Sequence, residues 1–212
     1  MLQSSFQVKH KARSRRALTS LAVLLAVLLG GTPAVANPSA AEDLGNAVSA
    51  AVSESPSFQY QRFERGILYS SPWGTHAVVG AISSVHGRLG GGGGALGYPK
   101  GGQVWQSPAF SYQVFERGVV YQSPSGAYAV LGLLNDAHQF HGGGGGRLGY
   151  PVADEVKEGP GFWYQRFERG VLYSSRWGTH AVVDQAILRA HSARGGGGGS
   201  LGYPTWGEES NG

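Results

Sequence analysis

The hydrophobic and polar positions of this chain follow two periods in succession. Residues 58–63 and 67–69 carry apolar or aromatic side chains at alternating or clustered positions on either side of Glu64-Arg65-Gly66. Because glycine can adopt the positive φ of a short loop, this pattern predicts a β-hairpin. Turn-forming residues follow, and the β-formers of 75–79 predict a third short strand.

From Gly80 the spacing changes to that of a helix. Ile82, Val85 and Leu89 recur three and four residues apart, which places one apolar face on a helix that the following glycines end. The same helical segment recurs from Leu133 to Phe140 and from Gln185 to Ala193. Each stretch of this kind therefore combines short strands with one short helix.

A period of about 52 residues organises the chain, and two motifs mark it. The first motif is Phe-Glu-Arg-Gly, at 63–66, 115–118 and 167–170. The second is Leu-Gly-Tyr-Pro, which follows a run of five glycines and lies at 96–99, 148–151 and 201–204. The sequence therefore predicts an α+β fold of three tandem units, 58–99, 100–151 and 152–204, each with short antiparallel strands and one short helix.

The glycine runs are predicted to stop each helix and to connect it to the next unit. The alternative is that they let the backbone approach a ligand closely. They do not fit a phosphate-binding loop, because neither Lys nor Ser or Thr follows them in the required spacing.

The two ends of the array are predicted to complement each other. No Leu-Gly-Tyr-Pro precedes Phe58, and the third copy of the motif comes near the C-terminus. A unit of this size cannot bury its apolar face alone, so neighbouring units must stack into a compact array. We expect residues 200–212 to complete the first unit and to close a propeller-like ring.

Residues 1–36 have the layout of an export signal. Five basic residues precede an apolar run over 17–29, and Ala34-Val35-Ala36 forms a small-x-small cleavage site. The run is shorter than the roughly 20 residues that a membrane-spanning helix needs, which favours cleavage after Ala36 over an uncleaved anchor. Residues 37–57 are then predicted to be a linker, and 205–212 a C-terminal tail.

Removal of this signal changes the charge balance. The full chain has 17 Lys and Arg against 13 Asp and Glu, and 12 against 13 remain after Ala36. No net positive charge or Lys/Arg-rich run is left to bind nucleic acid. The chain has no cysteine, which excludes disulfides, a thiol nucleophile and a zinc–thiolate site, and no cofactor is predicted.

The repeated motifs are similar to those of a known family. The pattern Gln-x-Phe-x-x-Gly-x-x-Tyr-x-Ser, followed by Gly-x-His-x-Val, Gly-Gly and Leu-Gly-Tyr-Pro, resembles the LGFP repeat of actinobacterial envelope proteins. The resemblance covers 58–204. It implies a secreted, extracytoplasmic protein of the cell wall that is not an enzyme and that binds arabinogalactan or peptidoglycan polysaccharide at several sites.

The resemblance also leaves alternatives open. One is a protein-interaction module that recruits a separate secreted envelope hydrolase to the wall, and its sign would be an exposed apolar patch. The sequence departs from the family pattern at the helix position ten residues before Leu-Gly-Tyr-Pro, where the usual Trp is replaced by His86, His138 and His191. The usual polar residues of the Gly-Gly segment are all glycine, and both departures bear on ligand specificity.

Aromatic and polar side chains in and beside the hairpins are the predicted ligand contacts. An aromatic ring can cover the apolar C–H face of a sugar while a polar edge bonds its hydroxyls. His76 and His180 occupy a position that is Tyr128 in the middle unit, which suits a shared aromatic role better than a catalytic one. The predicted binding residues are Tyr69, Trp73, His76, Tyr121, Tyr128, Tyr173, Trp177 and His180. The alternative for many of them is packing between strands.

Other polar residues give weaker signals. Glu64 and Arg65 are predicted to be exposed charges at a hairpin tip. The three helix histidines would form a zinc site only if a ring brought them together; no carboxylate repeats beside them, so a packing role is favoured and no metal site is predicted. A hydrolase is the least favoured function, because no nucleophile or metal motif accompanies the unrepeated candidates Ser123, Asp136, Asp154, Glu155 and Asp184.

Overall fold

The computed structural model describes residues 44–207. The predicted signal over 1–36, the start of the predicted linker and residues 208–212 of the predicted tail lie outside them. Among the described residues, no helix has the length and hydropathy needed to cross a membrane.

Each of the three units consists of a four-stranded antiparallel sheet, one helix and a 3-10 turn made of glycines. The first unit contains β1 Val52–Ser55, β2 Phe58–Phe63, β3 Gly66–Ser71, β4 Gly74–Val79, α1 Gly80–Arg88 and the turn Gly91–Gly93. The second contains β5 Val104–Ser107, β6 Phe110–Phe115, β7 Gly118–Ser123, β8 Gly126–Leu131, α2 Gly132–Phe140 and the turn Gly143–Gly145. The third contains β9 Val156–Gly159, β10 Phe162–Phe167, β11 Gly170–Ser175, β12 Gly178–Val182, α3 Gln185–Ala193 and the turn Gly196–Gly198. The predicted α+β repeat of strands and one helix is confirmed.

The prediction of three strands per unit was wrong by one, because it missed the edge strands β1, β5 and β9. Val52 to Ser55 includes part of the segment predicted to be a linker, and it pairs with β2. Its residues are polar or exposed, so they carry no alternating signal. Each edge strand also contains a register irregularity at Glu54, Gln106 or Glu158. These three side chains accept a hydrogen bond from the tyrosine hydroxyl of the Leu-Gly-Tyr-Pro motif at the end of their own unit.

The main apolar cores lie between units. Helix α1 packs against β7 and β8 of the second sheet, and α2 packs against β11 and β12 of the third. The first core joins Ile82 and Leu96 of one unit to Phe115, Val120 and Ala129 of the next. Stacking against a neighbour therefore buries what one unit cannot bury alone.

A degenerate copy of the second motif opens the array. Leu44-Gly45-Asn46-Ala47 lies on the first hairpin in the way that Leu-Gly-Tyr-Pro lies on the later ones: Ala47, Pro99 and Pro151 each form a bridge to the phenylalanine of Phe-Glu-Arg-Gly. The closed ring was predicted because no Leu-Gly-Tyr-Pro precedes Phe58, but the incomplete copy at 44–47 already takes that place on the first hairpin. Among residues 44–207 no closed ring is seen, and Leu201 of the last motif is exposed.

Candidate functional site: a cleft in the second unit

Two of the exposed tryptophans lie at the turn between the third and fourth strands of their units. Trp73 and Trp177 are both exposed, and each ring centroid lies 6.1 Å from that of a phenylalanine, Phe58 or Phe162. Their backbone N–H groups donate to Ser71 Oγ and Ser175 Oγ, both at 3.2 Å. These two predicted contacts are accessible to a ligand.

Three other predicted residues brace these turns. His76 Nε2 lies 2.9 Å from the carbonyl oxygen of Trp73, and His180 Nε2 lies 3.1 Å from that of Trp177. Tyr128 donates its hydroxyl to the matching carbonyl of Ser125 at 3.0 Å. A carbonyl only accepts, so each histidine carries its proton on Nε2. The alternation of His and Tyr follows, since both supply a donor on a flat ring.

The three predicted tyrosines of the third strands, Tyr69, Tyr121 and Tyr173, are buried in the cores. Each ring contacts the ring of a histidine edge-on at 5.1 Å. Burial raises the pKa of Tyr69 and Tyr121 to about 12, so their hydroxyls stay protonated and serve as hydrogen-bonding groups. Packing between strands, the alternative weighed for these residues, describes their rings.

The helix histidines are separate from one another. His86 stacks on Phe115 at 4.7 Å and His138 on Phe167 at 4.6 Å, so each serves a different core. The Nε2 atoms of His86, His138 and His191 lie 2.8, 2.9 and 2.8 Å from the glycine carbonyl of the nearby Leu-Gly-Tyr-Pro. No cluster of three or more metal-binding side chains occurs in the described part of the chain. At this helix position a flat ring packs in the core and its N–H group donates to a carbonyl. The Trp that is usual here in the family pattern has both features.

The Glu-Arg pair of the hairpin tip holds two units together. Glu116 accepts from the backbone N–H of Tyr98 at 3.1 Å, and Arg117 Nε donates to the carbonyl of Ala95 at 3.0 Å. Glu168 and Arg169 repeat both contacts with Tyr150 and Arg147. Glu64 and Arg65 are exposed, as predicted, but the prediction missed that the later pairs also bind the preceding glycine and Leu-Gly-Tyr-Pro segments.

A cleft of about 810 Å³ opens on the second unit. Its lining includes the half-buried ring of Tyr112, the hydroxyl-bearing Tyr121, the amides Asn135 and Gln139 of α2, and the backbone of 142–145. Gln139 Nε2 donates to the Tyr121 hydroxyl at 2.7 Å and to Asn135 Oδ1 at 3.5 Å. An aromatic ring beside a row of amide and hydroxyl groups suits a polyhydroxylated ligand.

The charges of this cleft balance. Lys100 and Arg117 face Glu116 and Asp136 along its lining, two positive groups against two negative ones. Arg117 and Glu116 are also within 3.4 Å of each other. Such a lining does not select a polyanion, and it suits a neutral polymer.

The third unit has a smaller counterpart of about 270 Å³, lined by Tyr164, Tyr173, Ser192 and glycine backbone. At the helix positions of Asn135 and Gln139 the third unit has Leu188 and Ser192, and the first has Ser83 and Gly87. This amide pair is not among the predicted contacts, because those contacts were residues that recur between units. The signal that would have found it is the departure of the middle unit from the other two.

Comparison with known families agrees with this architecture. The family model described as LGFP repeat matches residues 96–146 and 148–199. Both matched segments begin at Leu-Gly-Tyr-Pro, whereas the predicted units ended on that motif; residues 44–94 repeat the same elements in the same order. No curated protein matches the sequence. Residues 96–199 of the chain therefore carry two tandem LGFP repeats.

Proposed function

We propose that this protein binds neutral cell-wall polysaccharide, arabinogalactan or the glycan of peptidoglycan, with the cleft of the second unit as its principal site. The observation that carries the proposal is the pairing of the half-buried Tyr112 ring with the Asn135 and Gln139 amides in one charge-balanced cleft. A sugar ring can stack on the tyrosine while its hydroxyls bond the amides.

Further contacts on the same scaffold give the binding its strength. The smaller cleft around Tyr164 and the exposed rings of Trp73 and Trp177 offer additional aromatic surfaces. A polymer held at one site meets the others at high effective concentration, so several weak contacts retain it where one would release it. In this proposal the protein is secreted, acts in the wall and performs no catalysis.

The test is retention of the purified, exported protein on insoluble wall material. Whole wall, peptidoglycan stripped of arabinogalactan, and cellulose separate the wall layers from a general affinity for glycans. Tyr112→Ala should weaken retention by roughly tenfold, because it removes the stacking surface. Tyr164→Ala is the matched control: it removes the equivalent tyrosine from the smaller cleft and should weaken retention less.

Two results would contradict the proposal. One is no retention on either wall fraction; the other is equal retention by the wild type and a folded Tyr112→Ala variant. A Trp73→Ala/Trp177→Ala double variant that loses retention while Tyr112→Ala keeps it would move the site to the hairpin turns.

A protein partner is the second candidate function. Leu133 and Phe140 are exposed apolar side chains seven residues apart on α2, so they lie on one helix face. This patch would serve to recruit an envelope hydrolase. Loss of retention after protease treatment of the wall, together with loss in a Leu133→Ser/Phe140→Ser variant, would favour this candidate.

A further inference from the structure

The last helix presents an apolar face that the first two helices bury. Ile82 of α1 is 0% exposed and Leu134 of α2 is 2% exposed, but Ile187 at the same position of α3 is 51% exposed. The leucine of Leu-Gly-Tyr-Pro follows the same pattern, with 0% at Leu96 and Leu148 and 57% at Leu201. These residues form the tail face, defined as Ile187 and Leu201 with the adjoining ring of His191.

The first sheet presents the complementary half. In each interior core the second unit of the pair contributes a phenylalanine, a strand residue and an alanine: Phe115, Val120 and Ala129, or Phe167, Leu172 and Ala181. All six are buried, whereas their counterparts Phe63, Leu68 and Ala77 are only partly buried. We call these three residues the head face.

The chain itself shows twice how such faces join. Besides the apolar contacts, the histidine of one unit stacks on the phenylalanine of the next, and a buried glutamine crosses the junction. Gln113 Nε2 donates to the carbonyl of Ala77 at 2.9 Å, and Gln165 Nε2 to that of Ala129 at 2.8 Å. All three glutamines also donate to a carbonyl of their own unit, twelve residues earlier, and for Gln61 this bond to Ser49 at 3.0 Å is the one seen among the described residues.

A short segment partly occupies the head. Leu44 packs over Gly66 of the first hairpin: a Cβ built on Gly66 would lie 2.9 Å from the Cδ2 atom of Leu44. Leu148 packs over Gly170 in the same way, with the same distance of 2.9 Å. Asn46 and Ala47 stand where the complete motif has Tyr and Pro. The segment 44–47 forms no helix, so within residues 44–207 no helix of a preceding unit covers the partly buried residues of the head face.

We propose that copies of this protein associate head to tail: the tail face of one copy docks on the head face of a second copy in the geometry of the interior junctions. Ile187 then packs where Ile82 and Leu134 pack, and Leu201 replaces Leu44 over Gly66. The interface is heterologous, so it extends to chains of copies. Binding clefts would be multiplied along such a chain, but the association itself does not depend on the proposed ligand.

The test measures molar mass against concentration by light scattering on the purified, exported protein. Ile187→Glu places a charge in the tail face and Leu68→Glu places one in the head face, and each should weaken association by roughly tenfold or more. Leu133→Glu, an equally exposed apolar position on α2, is the matched control and should associate like the wild type. Circular dichroism checks that every variant is folded.

Mixing gives the decisive result. Ile187→Glu protein keeps an intact head and Leu68→Glu protein keeps an intact tail, so the mixture should form a one-to-one dimer and nothing larger. Leu44→Ala, which weakens the segment that occupies the head, should raise the association constant roughly tenfold.

The proposal is overturned if the wild type and the Leu44→Ala variant both stay monomeric at the highest concentration at which they remain soluble. It is also overturned if the two single-face variants do not combine. A Leu44→Ala variant that becomes more compact without gaining mass would show that the tail closes on its own head, which is the ring expected from the sequence and contradicts association between copies.

Discussion

Lowering the pH should destabilise this fold through two buried histidines. Burial lowers the pKa of His86 and of His138 below the ordinary value of 6.5. Both side chains are fully buried, and each donates from Nε2 to a glycine carbonyl. Their Nδ1 atoms have no hydrogen-bond partner among the described residues. Protonation would therefore add both a charge and an unpaired donor to a closed core.

The sign and size of the effect follow from proton binding. The unfolded chain binds protons at these histidines near pH 6.5, whereas the folded chain resists them, so stability is present above that pH and is lost as the pH falls. Each histidine contributes a slope of up to about 1.4 kcal/mol per pH unit. Between about pH 7.5 and 5.5 the two together should lower the free energy of unfolding by at most about 2.7 kcal/mol.

The assay is urea unfolding followed by circular dichroism across this range. Glu155, whose pKa is raised by burial, has an effect on stability of the opposite sign and offsets part of the slope at the acidic end of this range. A His86→Gln/His138→Gln variant keeps a donor for each carbonyl but cannot titrate at these two positions, so it should be less stable at neutral pH and should lose most of the slope. The smaller slope that remains comes from His141, whose pKa is also lowered by burial. A flat wild-type profile, or an unchanged slope in this variant, would refute the reasoning.

Three other predictions test the glycine turn, the junction and the N-terminus. Gly94→Ala should lower the free energy of unfolding by more than about 3 kcal/mol, because the new Cβ would overlap the Leu89 carbonyl oxygen. Gly93→Ala is the control: its Cβ would lie in open space, so the midpoint of thermal unfolding should hardly change. Arg117→Ala should lower the free energy of unfolding by about 1–2 kcal/mol, because it removes the hydrogen bonds to the carbonyls of Gly94 and Ala95. Arg117→Lys should not restore these bonds. Equal midpoints of thermal unfolding for the wild type and both variants would contradict this role. Intact-mass measurement of the exported protein should show a chain that begins at Asn37, and a mass that retains residues 1–36 would rule out the predicted cleavage.

Much of the fold follows from the sequence because each unit repeats its signals. The hairpins, the third of the predicted strands and the helices are marked by alternation and by helical spacing, and three copies in register reinforce one another. The edge strands carry no such mark, since Val52 to Ser55 is exposed and polar. The distance between successive Leu-Gly-Tyr-Pro motifs grows from 52 to 53 residues before the last copy, and the helix in that interval starts differently. There Asp184 caps α3, because its carboxylate accepts hydrogen bonds from the backbone N–H groups of Ala186 and Ile187.

The site was harder to predict, because the type of a residue does not determine whether its side chain is exposed or which groups it contacts. Tyr69 and Trp73 both suited sugar binding in the sequence, but only the tryptophan is exposed. Glu116 and Arg117 had the composition of a solvated turn, and their partners lie 18 to 23 residues away in a different motif. Contacts of this kind depend on how units stack, which a local pattern does not contain.

The repeated residues that join the units and the residues proposed to select a ligand are therefore different sets. The histidine, the Glu-Arg pair, the crossing glutamine and the tyrosine of Leu-Gly-Tyr-Pro are each engaged in joining strands or units, and a change in any of them affects the scaffold. Selectivity for a ligand must then come from positions where the units differ. Asn135 and Gln139 of the middle helix meet this condition, because the other two units have Ser83 and Gly87 or Leu188 and Ser192 there. If the proposed function holds, substitutions at these two positions should alter what the array binds while leaving its scaffold intact.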